Sequence, residues 1–406
     1  MGAVNISIAQ GMNRSAADTF GTTVLVGQGY AISGGAQLNT AYPLNRIEDA
    51  EAIGITKAND IANGILVWYH LSEFFRFANG AKAYLYMTNL AMAAVADKDS
   101  GPLTALLRTL SPGAVILAFF KTQVGAPTLT DGLDADSIDT IAKAQALCEA
   151  QRVMNRPCIA FVDGQSFTGT TANAGNLRAQ LARWVSVVNA QDLDMAALHA
   201  NFATHAAVGT AAGLKAGGKV NRNIGYVAEC NILDRGLGRW LRPGLSSNLP
   251  LSNYNDHPVS GDFKALHDKG HCVIQMYTDY PGVYFFGDPT CAALTDDFYR
   301  AGNSHAYCKA HKLVYQAVLP LVNADVLIDQ DTGKLSPVTC AQYENAGNEA
   351  LELMKRTREI SGYKTYCNPS QDVLNNDSVT VEFEIVPTGN AGTINGVVKF
   401  VKKLSA

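Results

Sequence analysis

Five stretches place reactive residue types at spacings that chemistry can use. Residues 213–220 read GLKAGGKV, the glycine and lysine spacing of a phosphate-binding loop. The Ser or Thr that would hold magnesium is replaced by Val220, and an alanine-rich helical stretch stands where a strand should lead in, so the bland reading is a flexible glycine turn. Residues 164–168, GQSFT, follow a strand as a nucleophile elbow does but miss GxSxG by one residue; Ser166 is the side chain a hydrolase would use there, and a plain loop accounts for the stretch as well. His267 and His271 have the i, i+4 spacing of two metal ligands on one helix face, yet Gly270 between them marks a helix end, so they need not share a face. In HAYCKAH, His305, Cys308 and His311 stand three apart, where only adjacent members face one way on a helix, and no fourth ligand closes a tetrahedron. GQGYAISGG, residues 27–35, follows a strand but opens no helix, which removes a dinucleotide site. The sequence therefore predicts no catalytic residue, no cofactor site and no metal site.

The composition narrows the classes that remain. With 406 residues, 47% hydrophobic and 17% charged, the chain is long and apolar enough to build two or three cores without staples. A net charge of -4 and a pI near 6.1 argue against general nucleic-acid binding. Cys148, Cys158, Cys230, Cys272, Cys291, Cys308, Cys340 and Cys367 form no CxxC pair and fit reduced, buried thiols in a cytosol. No apolar run follows Arg14, the first basic residue, so no signal peptide is expected; the start MGAVNI lacks the Ser or Thr that myristoylation needs. No stretch reaches membrane-spanning length, so no membrane insertion is expected.

The elements that must carry these residues alternate along the chain. Near the start, Val4, Ile6 and Ile8 alternate with Asn5 and Ser7, a short strand followed by a polar stretch, and the pattern predicts a free arm. TTVLVG is a buried strand, and a helix over 57–78 leads into the strand AKAYLYM. LTALLRTL leads to AVILAFF, and a helix from Asp136 leads to CIAFVDG; helices alternating with continuous apolar strands predict a parallel α/β layer. A helix over 174–190 and an Ala/Gly-rich segment over 205–220 close this half, and 236–262 reads as an irregular connection. A strand pair around HCVIQMY and GVYFFG follows, then helices over 297–319 and 337–360. Lys355, Arg356 and Arg358 give the second helix a basic end, which its dipole favours.

The chain closes on two more alternating strands. Val379, Val381, Phe383 and Ile385 form one apolar face opposite Thr380, Glu382 and Glu384; Ile394, Val398 and Phe400 alternate with Val397 and Lys399, and Val401 follows. A hairpin of two strands is marginal in water, so these strands require further partners.

Several stretches, in order along nearly the whole chain, resemble the contractile tail sheath proteins of phages and of phage-tail-like injection systems. VLVGQGYAISGGAQLNTAYPLNRIEDAEAIG is similar to that family's opening, EFFRFANGAKAYLYM to its double-Phe, Asn-Gly and strand junction, and ALHDKGHCVIQMYTDYPGVYFFGDPT to its block of helix, strand, Pro-Gly turn and aromatic strand. DDFYRAGNSHAYCKAHKLVYQAVLPLV stands at its long helix, and GYKTYCNPSQDVLNNDSVTVEFEIVP resembles its closing section. Asp288 and Pro289 replace the usual Ala-Arg, and TGNAGTING replaces the usual Pro-Ala-Glu turn, marks of a divergent branch.

The resemblance implies a mixed α/β subunit of several domains. These are an N-terminal arm at 1–20, an α/β domain at 21–205, an irregular connection at 206–262, an α+β C-terminal domain at 263–376, and a terminal hairpin and linker strand at 377–406. It further implies that the arms add strands to neighbouring copies through Val4, Ile6, Ile8, Val379, Val381, Phe383, Ile385, Val397, Val398, Phe400 and Val401, and that Lys355, Arg356 and Arg358 face an inner tube. The implied partners are further copies in hexameric rings or a helical polymer, the tail tube protein, and baseplate and terminator proteins. The implied location is a virion tail sheath assembled in a bacterial cytoplasm, or a bacterial injection system. The competing readings are an α/β hydrolase using Ser166 and a non-contractile tube or shell protein.

Overall fold

The computed structural model describes residues 19–110, 113, 115–167, 171–247, 249–250, 262–392, 394 and 396. The first half repeats a passage from helix to buried strand. Strand β1 (Thr23–Gln28) is followed by the short β2 (Ala41–Leu44), helices α1 (Lys57–Asn63) and α2 (Val67–Phe77), and β3 (Ala83–Thr88). Then come α3 (Leu103–Thr109) with β4 (Ile116–Phe120), α4 (Ala135–Val153) with β5 (Ile159–Asp163), and β6 (Val185–Val188). The single helix expected over 57–78 is two, because Gly64 takes a left-handed conformation (φ 63°) that ends α1, where its carbonyl-capping turn needs no Cβ.

The helix expected over 174–190 is a larger departure. Residues Leu177–Gln180 make one 3-10 turn, Leu181 turns left-handed at φ 53°, and the chain then enters β6. Val185, Val187 and Val188 are fully buried, and β-branched residues enclosed on both faces favour a strand.

Beyond β6 run β7 (Ala190–Asp192), helix α5 (Val208–Ala216), β8 (Pro243–Leu245), which pairs with β7, helix α6 (Asp262–Asp268) and β9 (His271–Cys272). The seven-stranded sheet has the order β9-β6-β5-β4-β1-β3-β2, all parallel except β2, whose edge carries Pro43. The sheet thus takes its far strand from beyond the irregular connection. Strands β10 (Ile274–Tyr277) and β11 (Tyr280–Phe285) then form a hairpin that turns at Thr278 and Asp279 (φ 57°). The Pro-Gly turn read from sequence lies instead inside β11, where Gly282 (φ 134°) leaves room for the Tyr284 ring.

Helix α7 (Ala301–Val318) crosses to the last section, made of α8 (Pro337–Arg356), β12 (Ile360–Cys367) and β13 (Val381–Pro387). Ser336 caps α8 by accepting from the Val338 N–H, with Pro at the first helical position. The helix read from sequence as reaching residue 360 stops at Arg356, since Arg358 is left-handed (φ 60°) and Ile360 opens β12. One large apolar core surrounds the seven-stranded sheet; a smaller one joins Val220, Ala306, Ala310, Leu351, Met354 and Ile360. Helix α7 contributes to both, which makes it the beam between the two parts. Among the described residues no helix is long and apolar enough to cross a membrane.

Candidate functional site

In open parallel sheets, ligands bind beyond the carboxyl ends of the strands where the strand order reverses, here beyond β1 and β4. Among the described residues that ground is filled by the chain's own contacts. Gln28 Oε1 accepts from the Thr122 N–H at 3.3 Å, Thr122 Oγ1 accepts from the Leu66 N–H at 3.3 Å, and Lys121 Nζ lies 3.3 Å from Asp134 and 3.5 Å from Asp136. Beyond β5, Asp163 accepts from the Ala206 N–H at 2.9 Å and from Gln165 Nε2 at 3.0 Å. Burial pushes its carboxyl up to about 8. Ser166 sits after β5 at φ 56°, but its Oγ is buried and, among the described residues, no base lies within hydrogen-bond distance of it.

The other motifs resolve into packing. Gly209, Gly213 and Gly217 form a stripe along and just past α5 that lies on the backbone of α2. A Cβ added to them would stand 2.3 Å from the His70 carbonyl oxygen, 2.6 Å from that of Phe74 and 1.9 Å from that of Phe77. GLKAGGKV is therefore neither a phosphate loop nor the flexible turn read from sequence; the glycines let two helices touch. Lys219 Nζ donates to the Thr357 carbonyl at 2.9 Å beyond the end of α8. Lys215 is fully buried, donating to the Arg222 carbonyl at 2.8 Å and pairing with Asp288 at 3.3 Å. The histidines are separated: His267 packs on Phe286, while His271 is buried beside Asn189 and the Gly175 carbonyl, 3.0 Å from each. On α7, His305 Nε2 donates to the Phe20 carbonyl at 2.7 Å and His311 lies 3.0 Å from Asn155, with Cys308 buried between. Among the described residues no group of three or more His, Cys, Asp or Glu could hold a metal ion.

The feature left without an internal explanation is a strand edge. β13 pairs antiparallel with β12 in the register Tyr363↔Ile385, Thr365↔Phe383 and Cys367↔Val381, and these two make a two-stranded sheet among the described residues. Sequence reading does not identify β12: it runs a helix to residue 360 and assigns no element to 361–376, so part of the pairing that the last strands require lies within the chain. Its signal was the run of Tyr363, Thr365 and Tyr366, residue types that favour strands. The alternation read for β13 holds: Val381, Phe383 and Ile385 are half-buried toward the helices, while Glu382, Glu384 and Val386 are exposed. Along its inner face runs an apolar groove of about 520 Å³ bounded by Val318, Leu321, Val322, Tyr343, Val379 and Phe383. It continues into a second hollow of about 350 Å³ between Val314, Tyr315 and Ile385.

Lys355 and Arg356 are exposed on the last turn of α8, with Lys355 Nζ 5.7 Å from the Tyr363 ring. Arg358 is exposed too, but in the turn after the helix, where its carbonyl accepts from Asn221 at 3.0 Å. Val4, Ile6, Ile8, Val397, Val398, Phe400 and Val401 lie outside the described residues.

Comparison with known proteins bears on the fold that carries this edge. The family model described as DUF2586, N-terminal domain, matches residues 1–288. No curated protein matches the sequence. Among solved structures, the chain is similar to one in the baseplate of the anti-feeding prophage (AFP), at 14% identity over 99% of both chains with a TM-score of 0.61. It is similar to the AFP helical sheath in its contracted state, at 15% identity over 99% of both chains and TM-score 0.58. It is also similar to the contracted PVC sheath complex of an extracellular contractile injection system, at 11% identity over 99% of this chain and 98% of that one, TM-score 0.56. At such identities the likeness is one of fold, and it runs end to end.

Proposed function

The chain belongs to the DUF2586 family, and we propose that it is the subunit of a contractile sheath. In this reading the parts at 21–205 and 263–376 form the body, and those at 1–20 and 377–406 form the arms. Copies join as hexameric rings or a helical polymer around an inner tail tube, between baseplate and terminator proteins. The observation that carries the reading is the edge of β13, unpaired among the described residues and lying beside a groove with apolar walls, in a chain whose fold follows two contracted sheath structures from end to end. A strand from a neighbour, drawn from residues 4–8 or 397–401, gains main-chain hydrogen bonds at that edge and seats alternate side chains in the groove.

Contraction needs no covalent chemistry. Burying about 400 Å² of further apolar surface per subunit is worth roughly 10 kcal/mol at about 25 cal/mol per Å². Linked arms keep the lattice connected while the bodies rotate, and the tube is driven through a cell envelope. The exposed Lys355, Arg356 and Arg358 face acidic groups on the tube. The particle is assembled in a bacterial cytoplasm, as a virion tail or as a bacterial injection system. Electron microscopy of the purified protein tests this: hollow cylinders wide enough to enclose a tube are expected, and closed shells, narrow solid filaments or monomers at high concentration would overturn the reading.

A further inference from the structure

The root of the N-terminal arm is built into the part of the molecule that carries the receiving edge. Thr19–Gly21 form a 3-10 turn just before β1. Gly21 lies so close to α5 that a Cβ there would stand 2.7 Å from the Ala216 carbonyl oxygen. The Phe20 carbonyl accepts from His305, and the Phe20 ring lies 5.0 Å from Lys309 Nζ and 5.6 Å from Lys312 Nζ, within cation–π range. Phe20 also packs against both apolar cores, including the small one that holds Ile360 of β12 and contacts Ile385 of β13.

Lys309 then reaches the other way. Its Nζ lies 2.9 Å from Glu359 Oε1, with both side chains nearly buried, and Glu359 occupies the turn that delivers α8 into β12. The far end of β13 is tied to the same region, since Thr388 accepts from Arg300 through its carbonyl at 2.6 Å and from Asn221 through its hydroxyl at 2.8 Å. Resting on the sheath reading above, we infer that Phe20 and Lys309 are positioning residues that hold the root of the donated arm and the receiving hairpin as one unit. A subunit that accepts a neighbour's strand thereby fixes the direction in which its own arm is offered.

The test uses the full chain and two readouts that need no assembly. All eight native cysteines are buried, so a dye on Ala16→Cys reports the arm root alone through its anisotropy. Amide hydrogen exchange reports β12 and β13 against β4 and β5 as internal controls. Lys309→Met is expected to lower the anisotropy and to speed exchange in β12 and β13 at least tenfold, with β4 and β5 unchanged, and Lys309→Arg is expected to restore both. Phe20→Leu, which keeps an apolar side chain but removes the ring, is expected to do the same to both readouts. Movement of one readout without the other, no movement of either, or equal acceleration in β4 and β5 would overturn the inference. The sheath reading fails separately, if the unmodified chain forms no hollow cylinders.

Discussion

His205 holds a proton on Nδ1 for the Phe202 carbonyl 2.7 Å away, while its Nε2 is buried without a partner among the described residues. Protonating Nε2 would bury an unpaired donor and a charge, and burial accordingly pulls the pKa from 6.5 to about 4. Between those two values the unfolded chain binds a proton that the folded chain does not, so stability falls as pH drops below 6.5. The slope from this group approaches, as an upper limit, about 1.4 kcal/mol per pH unit midway between the two values. Urea unfolding at pH 7, 6 and 5 is expected to show a loss with acid that is shallower in His205→Gln, by up to that slope and most clearly between pH 6 and 5. Lys215 and Asp288 supply a second test, because breaking a buried pair costs more than replacing it. Asp288→Ala is expected to cost about 3–5 kcal/mol, and the double change Lys215→Met with Asp288→Leu far less, by the same unfolding assay. Little of this was legible beforehand. Gly270 did announce the helix end that separates His267 from His271, since glycine preference at such ends is local (φ 95°). The partner of Lys215 is 73 residues away, and no local preference encodes a contact at that separation.

At the scale of elements, the α2–α5 contact sets a helix propensity against a packing constraint. Alanine favours a helix over glycine by about 1 kcal/mol, so Gly213→Ala would stabilise an exposed helix. Here the new Cβ would meet the Phe74 carbonyl at 2.6 Å, inside any real contact distance, and overpacking of this kind costs about 1–3 kcal/mol. A lower urea midpoint for Gly213→Ala is expected; a higher one would mean that the helices separate without cost. The strands β1, β3, β4 and β5 were readable because each is a continuous apolar run, and the helices leading into β3, β4 and β5 were read in place, the first as one helix where there are two. Residues 177–188 were not, because an apolar run containing Leu177, Leu181 and Trp184 suits either period until the neighbouring strands enclose it. β12 was hidden differently, its alternation interrupted by Gly362 and Lys364 and its start joined to a helix by only a short turn. The candidate edge was therefore half legible: one of its two strands was read, and its inner partner was not.

For the whole molecule, the arms and the body should separate in experiment. On the sheath reading proposed above, deleting residues 1–12 would remove about five main-chain hydrogen bonds per link, at roughly 1 kcal/mol each, without touching the cores formed by the described residues. A monomer with nearly unchanged thermal unfolding and no long cylinders is expected; a monomer that melts many degrees earlier yet still polymerises in the cold would place the arm in its own chain. Charge reversal at Lys355 and Arg358 is expected to weaken assembly on tubes at low salt more than assembly of sheath alone, as sedimentation of the two mixtures would show. The large sheet adds a constraint of another kind. One of its margins carries Pro43, which has no N–H to give, and the other is a strand of only two residues, so neither can template a long ladder with a second molecule. Longer edges lie outside the large sheet, on the β10–β11 hairpin and on the β12–β13 pair, and on the sheath reading the second of these gives each subunit a directional valence. If the chain polymerises as proposed, subunits that collide large sheet to large sheet have no extended margin there along which to zip, so they part again, and growth can discard such mistakes instead of burying them in an aggregate.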